Sequence, residues 1–149
     1  MSLQIGDKAP AFSLTDENSV VHNIPDPNGN WTIIYFYPKD NTPGCTTEAC
    51  GIRDMYSTFA EAKILVFGIS ADSEQSHRSF KQKFDLPFTL LSDKNKIVLP
   101  LYEADKIGSK RKTYIISPDG VIAKIYDKVS PATHAGELIR DVLELKKGK

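Results

Sequence analysis

Seven residues, Trp31-Thr-Ile-Ile-Tyr-Phe-Tyr37, form an almost unbroken run of aromatic and β-branched side chains that stops at Pro38. A strand with one face in water alternates polar and apolar residues, so this run predicts a strand buried on both faces of a covered sheet. Lys63-Ile-Leu-Val-Phe-Gly-Ile-Ser70 repeats the pattern. Between the two, the stretch from about Cys45 to Ala60 is rich in helix formers. It carries Ile52, Met55, Tyr56 and Phe59 at spacings of three and four, which predicts an amphipathic helix starting near Pro43.

The remaining elements follow from the same periodicities. Ala11 to Thr15 and Val20 to Ile24 flank a polar cluster and predict a small hairpin, followed by a loop through Pro25 to Asn30. Asp72 or Ser73 is the expected cap of a helix running to about Phe84, closed by Pro87. Phe88 to Leu91 reads as a short strand, and Asp93 to Tyr102 as a weakly helical or irregular segment. Lys112 to Ser117 and Val121 to Tyr126, joined by Pro118-Asp-Gly120, predict a second hairpin, and Thr133 to Lys146 a terminal amphipathic helix. This order calls for an α/β fold in one domain, 1–149: a mixed central sheet with helices on both faces and an N-terminal hairpin.

Charge excludes some functions. Lys plus Arg and Asp plus Glu both number 19, so no global field draws the chain to nucleic acid or anionic lipid. No apolar stretch approaches the roughly 18 residues of a membrane helix, and the N-terminus has no signal-peptide pattern, which together predict a cytoplasmic location. The final helix carries no long C-terminal arm, which favours a monomer. Two cysteines are too few for a disulfide scaffold, so catalysis or redox sensing is the better expectation.

The chemistry concentrates in Pro38-Lys-Asp-Asn-Thr-Pro-Gly-Cys45-Thr-Thr-Glu-Ala-Cys50. A free thiol is only a few per cent thiolate at neutral pH, so an attacking cysteine needs local positive potential. Cys45 falls in the first turn of the expected helix, where unpaired amides and the dipole favour an anion. Pro43 suits a first helical turn, and Gly44 allows close approach to the backbone. Thr42 offers a hydroxyl that can accept a proton from a substrate or cap the helix. The bland alternatives are a buried, inert Cys45 and a Cys50 that only fills the core.

Cys50 lies five residues on, which rotates it ~140° from Cys45 with a rise of about 7.5 Å on an intact helix. A disulfide needs Cα atoms within about 7 Å, so joining the two requires the first turns to unwind. Such a step has a use, because a second thiol can capture a sulfenic acid before it oxidises irreversibly.

The segment resembles the peroxiredoxins. The Pro-x-x-x-Thr-x-x-Cys pattern is complete at Pro38, Thr42 and Cys45, and Cys45-Thr-Thr-Glu-Ala-Cys50 is similar to the bacterioferritin-comigratory or Q-type branch. The similarity runs from Gly6-Asp7-Lys8-Ala9-Pro10 through Phe36-Tyr37-Pro38 to Ser117-Pro-Asp-Gly120. It implies a thioredoxin-like fold and a peroxidase acting on hydrogen peroxide and alkyl hydroperoxides. It also implies a Cys45–Cys50 disulfide that thioredoxin or a similar dithiol protein reduces. The position resembling the family's active-site arginine is Arg111, flanked by Lys110 and Lys112, and Glu48 matches the carboxylate that orients it. A solvated Lys-Arg-Lys strand end and a simple helix-start charge are the bland readings of these residues. His22, His77 and His134 are scattered among polar sequence and read as surface residues, with no zinc-like spacing and no metal implied. No phosphate loop or dinucleotide fingerprint occurs, so no cofactor is expected. Two rivals remain: a thiol-disulfide oxidoreductase on the same fold, and a redox-sensing module without turnover.

Overall fold

The computed structural model describes residues 3–105 and 111–148. Its elements run β1 (Phe12–Asp16), β2 (Val21–Ile24), β3 (Thr32–Phe36), α1 (Pro43–Asp54), α2 (Tyr56–Glu61), β4 (Leu65–Ser70) and α3 (Glu74–Phe84). They continue with β5 (Thr89–Ser92), α4 (Val98–Leu101), β6 (Thr113–Ile116), β7 (Ile122–Tyr126) and α5 (His134–Lys147). The strands form one sheet in the order β2-β1-β5-β4-β3-β6-β7. β3, β4 and β5 are parallel, and β6 pairs antiparallel with β3 in the register Tyr35 to Thr113.

β3 is buried at every position because each of its faces meets a separate core. Ile33, Tyr35 and Tyr37 pack with Val66, Leu90 and Ile115 against residues of α1, α2, α3 and α5. Ile34 and Phe36 pack with Ile69, Leu91 and Tyr114 against Val98 of α4, Tyr102 and Ile24. Among the described residues, four helices thus cover one face and a single short helix lies on the other. Gly68 of β4 is needed in the first layer, since a Cβ there would meet the Tyr35 hydroxyl at 2.8 Å.

One local outcome departs from the expectations, and two others settle what they left open. The helix expected to run from about Cys45 to Ala60 is interrupted at Met55 (φ −108°, ψ 6°). The turn keeps Ile52 and Phe59 fully buried while Met55 is 38% exposed, so Met55 lies off the apolar stripe. The cap of α3 is Ser73, whose hydroxyl accepts the Ser76 N–H at 3.1 Å, while Asp72 is used elsewhere. In the segment after Asp93, that carboxylate accepts the N–H groups of Ile97, Val98 and Leu99 and so nucleates the single turn of α4.

Candidate active site

The end of β3 and the start of α1 bring the site together. α1 opens with Thr42 in the N-cap position and Pro43 just inside. The Thr42 hydroxyl does not cap the helix, as one expected role had it, but donates to the Lys39 carbonyl at 2.9 Å. Its proton is thereby spent within the loop, and its lone pairs are left to accept. Proline has no N–H, and the first intrahelical bond is Thr46 N–H to Thr42 O at 2.8 Å, so the amides of Gly44 and Cys45 lack intrahelical acceptors. Those amides sit beside the Cys45 sulfur, at the positive end of the helix dipole. Pro38 is exposed and opens the loop that leads to them.

Arg111 enters from the strand that flanks β3. The β3–β6 register carries the chain two residues beyond Thr113 to the level of the loop. There Nη2 donates to Cys45 Sγ at 3.3 Å and Nη1 to Glu48 Oε1 at 2.7 Å. Cys45 and Glu48 lie three residues apart, on one face of α1, so one guanidinium serves both. Lys112 does not share this role: it is buried and pairs with Asp127 at 3.1 Å, while Lys110 lies outside the described residues. Cys45 is 2% exposed, Cys50 is half-buried, and both are free thiols on the one continuous helix α1.

The electrostatics of this cluster are lopsided. Burial, opposed by Arg111, pushes the Glu48 carboxyl up to about 7. Among the described residues its second oxygen has no hydrogen-bond partner, nor does the hydroxyl of Tyr35 beneath it. Burial, followed by Glu48 and Cys45, holds the Tyr35 phenol well above its usual range. Burial works against the Arg111 charge as well, yet its bonds to Cys45 and Glu48 raise its pKa. One permanent cation therefore faces two acids in a site largely shielded from water, an arrangement suited to a sulfur anion and to charge developing on a nearby oxygen.

The sequence pattern of the AhpC/TSA family matches residues 5–125. The chain belongs to this family of peroxiredoxins. It is 44% identical over 148 residues to the peroxiredoxin bcp of Coxiella burnetii, covering 93% of this chain and 98% of that one. Peroxiredoxin Q of Xylella fastidiosa, solved as a cysteine-to-serine variant, superposes with a TM-score of 0.89 at 29% identity, over 98% of this chain and 99% of that chain. The bacterioferritin comigratory protein of Xanthomonas campestris, studied for alkyl peroxide reduction, superposes with a TM-score of 0.83 at 30% identity, over 89% and 90% of the two chains. The fold is thus the thioredoxin-like fold of peroxiredoxins, and the protein is a thiol-dependent peroxidase. No described helix is long and apolar enough to cross a membrane.

Two histidines correct the surface assignment. His22 is partly exposed beside Asp16, but His77 and His134 are fully buried. His134, at the start of α5, bridges the Thr113 hydroxyl (2.8 Å) and Glu137 (3.0 Å), and burial pushes its pKa down against the pull of Glu137. His77 lies between Asp40 and the Leu91 carbonyl. Each has polar partners far away in the chain, which its polar sequence neighbours do not reveal. Asp40, Asp72 and His77 also come close enough in space to hold a cation, though nothing in their linear spacing suggests it. Their facing atoms are instead engaged in hydrogen bonds within the protein.

Proposed function

We propose that Cys45 is the peroxidatic sulfur and Cys50 the resolving one. The observation that carries the reading is the Arg111 Nη2 to Cys45 Sγ contact of 3.3 Å at a helix start. A thiolate there attacks the terminal oxygen of a hydroperoxide. The sulfur–oxygen bond forms as the O–O bond breaks, and its electron pair leaves on the distal oxygen. Arg111 and the Gly44 and Cys45 amides stabilise that developing charge, while the lone pairs of Thr42 accept a hydrogen bond from the peroxide. With a proton, the leaving oxygen becomes water or an alcohol, and Cys45 becomes sulfenic acid. Pro38 fixes the start of the loop, and Glu48 orients Arg111.

In the second step the Cys50 thiolate attacks the sulfenic sulfur, an S–S bond forms, and hydroxide leaves to become water. The intact α1 keeps the sulfurs apart, so its first turns unwind for this step. A dithiol reductant of the thioredoxin type then restores both thiols by exchange. Hydrogen peroxide and alkyl hydroperoxides are the proposed substrates, the latter supported by the alkyl peroxide reduction named for the Xanthomonas campestris protein. Thioredoxin-coupled turnover with a panel of peroxides tests the reading. Catalytic consumption of both classes with oxidation of thioredoxin is expected. Stoichiometric oxidation without turnover, or insulin reduction in place of peroxide consumption, would contradict it.

A further inference from the structure

Asp40 lies two residues before Thr42, in the loop between β3 and α1, and is 7% exposed. Its Oδ1 accepts the Tyr37 hydroxyl at 2.6 Å, and its Oδ2 accepts the Ser76 hydroxyl at 2.8 Å and faces His77 Nδ1 at 2.7 Å. The backbone N–H of Asp40 donates to Asp72 Oδ2 at 2.8 Å, which also accepts the Ser70 hydroxyl at 2.6 Å. His77 Nε2 is 3.0 Å from the Leu91 carbonyl, which can only accept, so that nitrogen carries a proton. One carboxylate therefore binds the loop to β3, to α3 and, through His77, to β5.

The next residue gives this anchoring its consequence. Asn41 has φ 60°, in the left-handed region, and its side chain accepts from Lys83 of α3 at 3.2 Å. Asparagine enters that region more readily than most residues with a side chain, so position 41 accommodates a sharp turn whose course is set by the constraint on either side of it. Asp40 on one side and the α1 start on the other supply that constraint. The Thr42 oxygen and the amides of Gly44 and Cys45 are placed by the same turn.

We propose that Asp40, held by His77 and Tyr37, is a positioning residue that sets the loop carrying Thr42 against the Cys45 sulfur for the peroxide step. This rests on the assignment of Cys45 proposed above. Asp40 lies outside α1, so the anchor persists while the helix unwinds, and the exchange with reductant does not depend on it.

The test separates the two half-reactions by varying peroxide and reductant independently in Asp40→Asn and Tyr37→Phe. An amide at position 40 cannot accept from Tyr37, Ser76 and His77 together, and displacement of a reacting group by about 1 Å costs up to ~10²-fold. The expected result is a loss in kcat/KM for peroxide of roughly 10- to 100-fold in Asp40→Asn and a smaller loss in Tyr37→Phe. The kcat/KM for the dithiol reductant stays within about twofold of wild type in both. No loss in the peroxide term, or equal losses in both terms, would overturn the positioning role. A wild type whose turnover survives Cys45→Ser would instead refute the assignment on which the proposal rests.

Discussion

The Arg111 guanidinium reaches Cys45 because residue 44 has no side chain: a Cβ on Gly44 would lie 3.1 Å from Nη2. The obstruction meets the far end of a flexible side chain, so Gly44→Ala should fold normally and shift the guanidinium rather than the backbone. A hydrogen bond to a charged group contributes about 1.5–3 kcal/mol, and 1.4 kcal/mol is tenfold in rate. Gly44→Ala should therefore slow the reaction with peroxide by roughly 10- to 100-fold in stopped-flow measurements, with thermal stability little changed. An unchanged rate would show that the guanidinium does not need the space left by Gly44. The pattern at Pro38, Thr42 and Cys45 was legible in the sequence because all three lie within eight residues. Asp40 was not: it sits inside the same segment, but its partners are Tyr37 just after β3, Asp72 between β4 and α3, and Ser76 and His77 of α3, which only the folded sheet brings together. His77 and His134 were misjudged for the same reason, as their polar sequence neighbours face outward while their rings point into the core.

In the proposed reaction, helix α1 is folded for the first chemical step and partly unfolded for the second. Its first turns are held by the burial of Cys45 and Ala49 and by the Glu48–Arg111 pair, and its later part by Ile52, by Gly51 against Ala135 and by Arg53 donating to the Phe84 carbonyl at 2.8 Å. Glu48 makes the first part sensitive to pH. Its pKa is about 7 in place and returns to an ordinary value near 4.5 when the turn opens. The folded turn binds the extra proton, so this contribution to its stability is fully present below about pH 4.5 and is lost as pH rises through 7. At its limit the effect is about 3 kcal/mol. Hydrogen exchange in residues 45–50, corrected for the intrinsic pH dependence of exchange, should thus show easier opening between pH 5 and 8 in wild type but not in Glu48→Gln. A flat wild-type profile would contradict this. The extent of α1 was only partly legible, because spacing put Met55 on the apolar stripe and only packing against α5 and the sheet shows that the helix turns there.

Across the whole molecule, the run from Trp31 to Tyr37 already required a sheet covered on both sides, and the structure places β3 near its centre. Unlike the presence of the strands, their order could not be read from the sequence. That order decides the site: β3 lies between β4 and β6, so the loop leaving its carboxyl end meets the start of β6 and Arg111 on one side and Ser70, which ends β4, with Asp72 beyond it on the other. Ligands bind outside the carboxyl ends of parallel strands for this geometric reason. The structure shows α1 closed with both thiols free; the proposed reaction adds an oxidised state in which its first turns open. Mass spectrometry of the sulfur states after one equivalent of peroxide tests that account most directly. Wild type should show a Cys45–Cys50 disulfide, Cys50→Ser should stop at a Cys45 sulfenic acid, and Cys45→Ser should leave the peroxide unconsumed. Peroxide consumption by Cys45→Ser, or wild-type turnover without the Cys45–Cys50 bond, would contradict it.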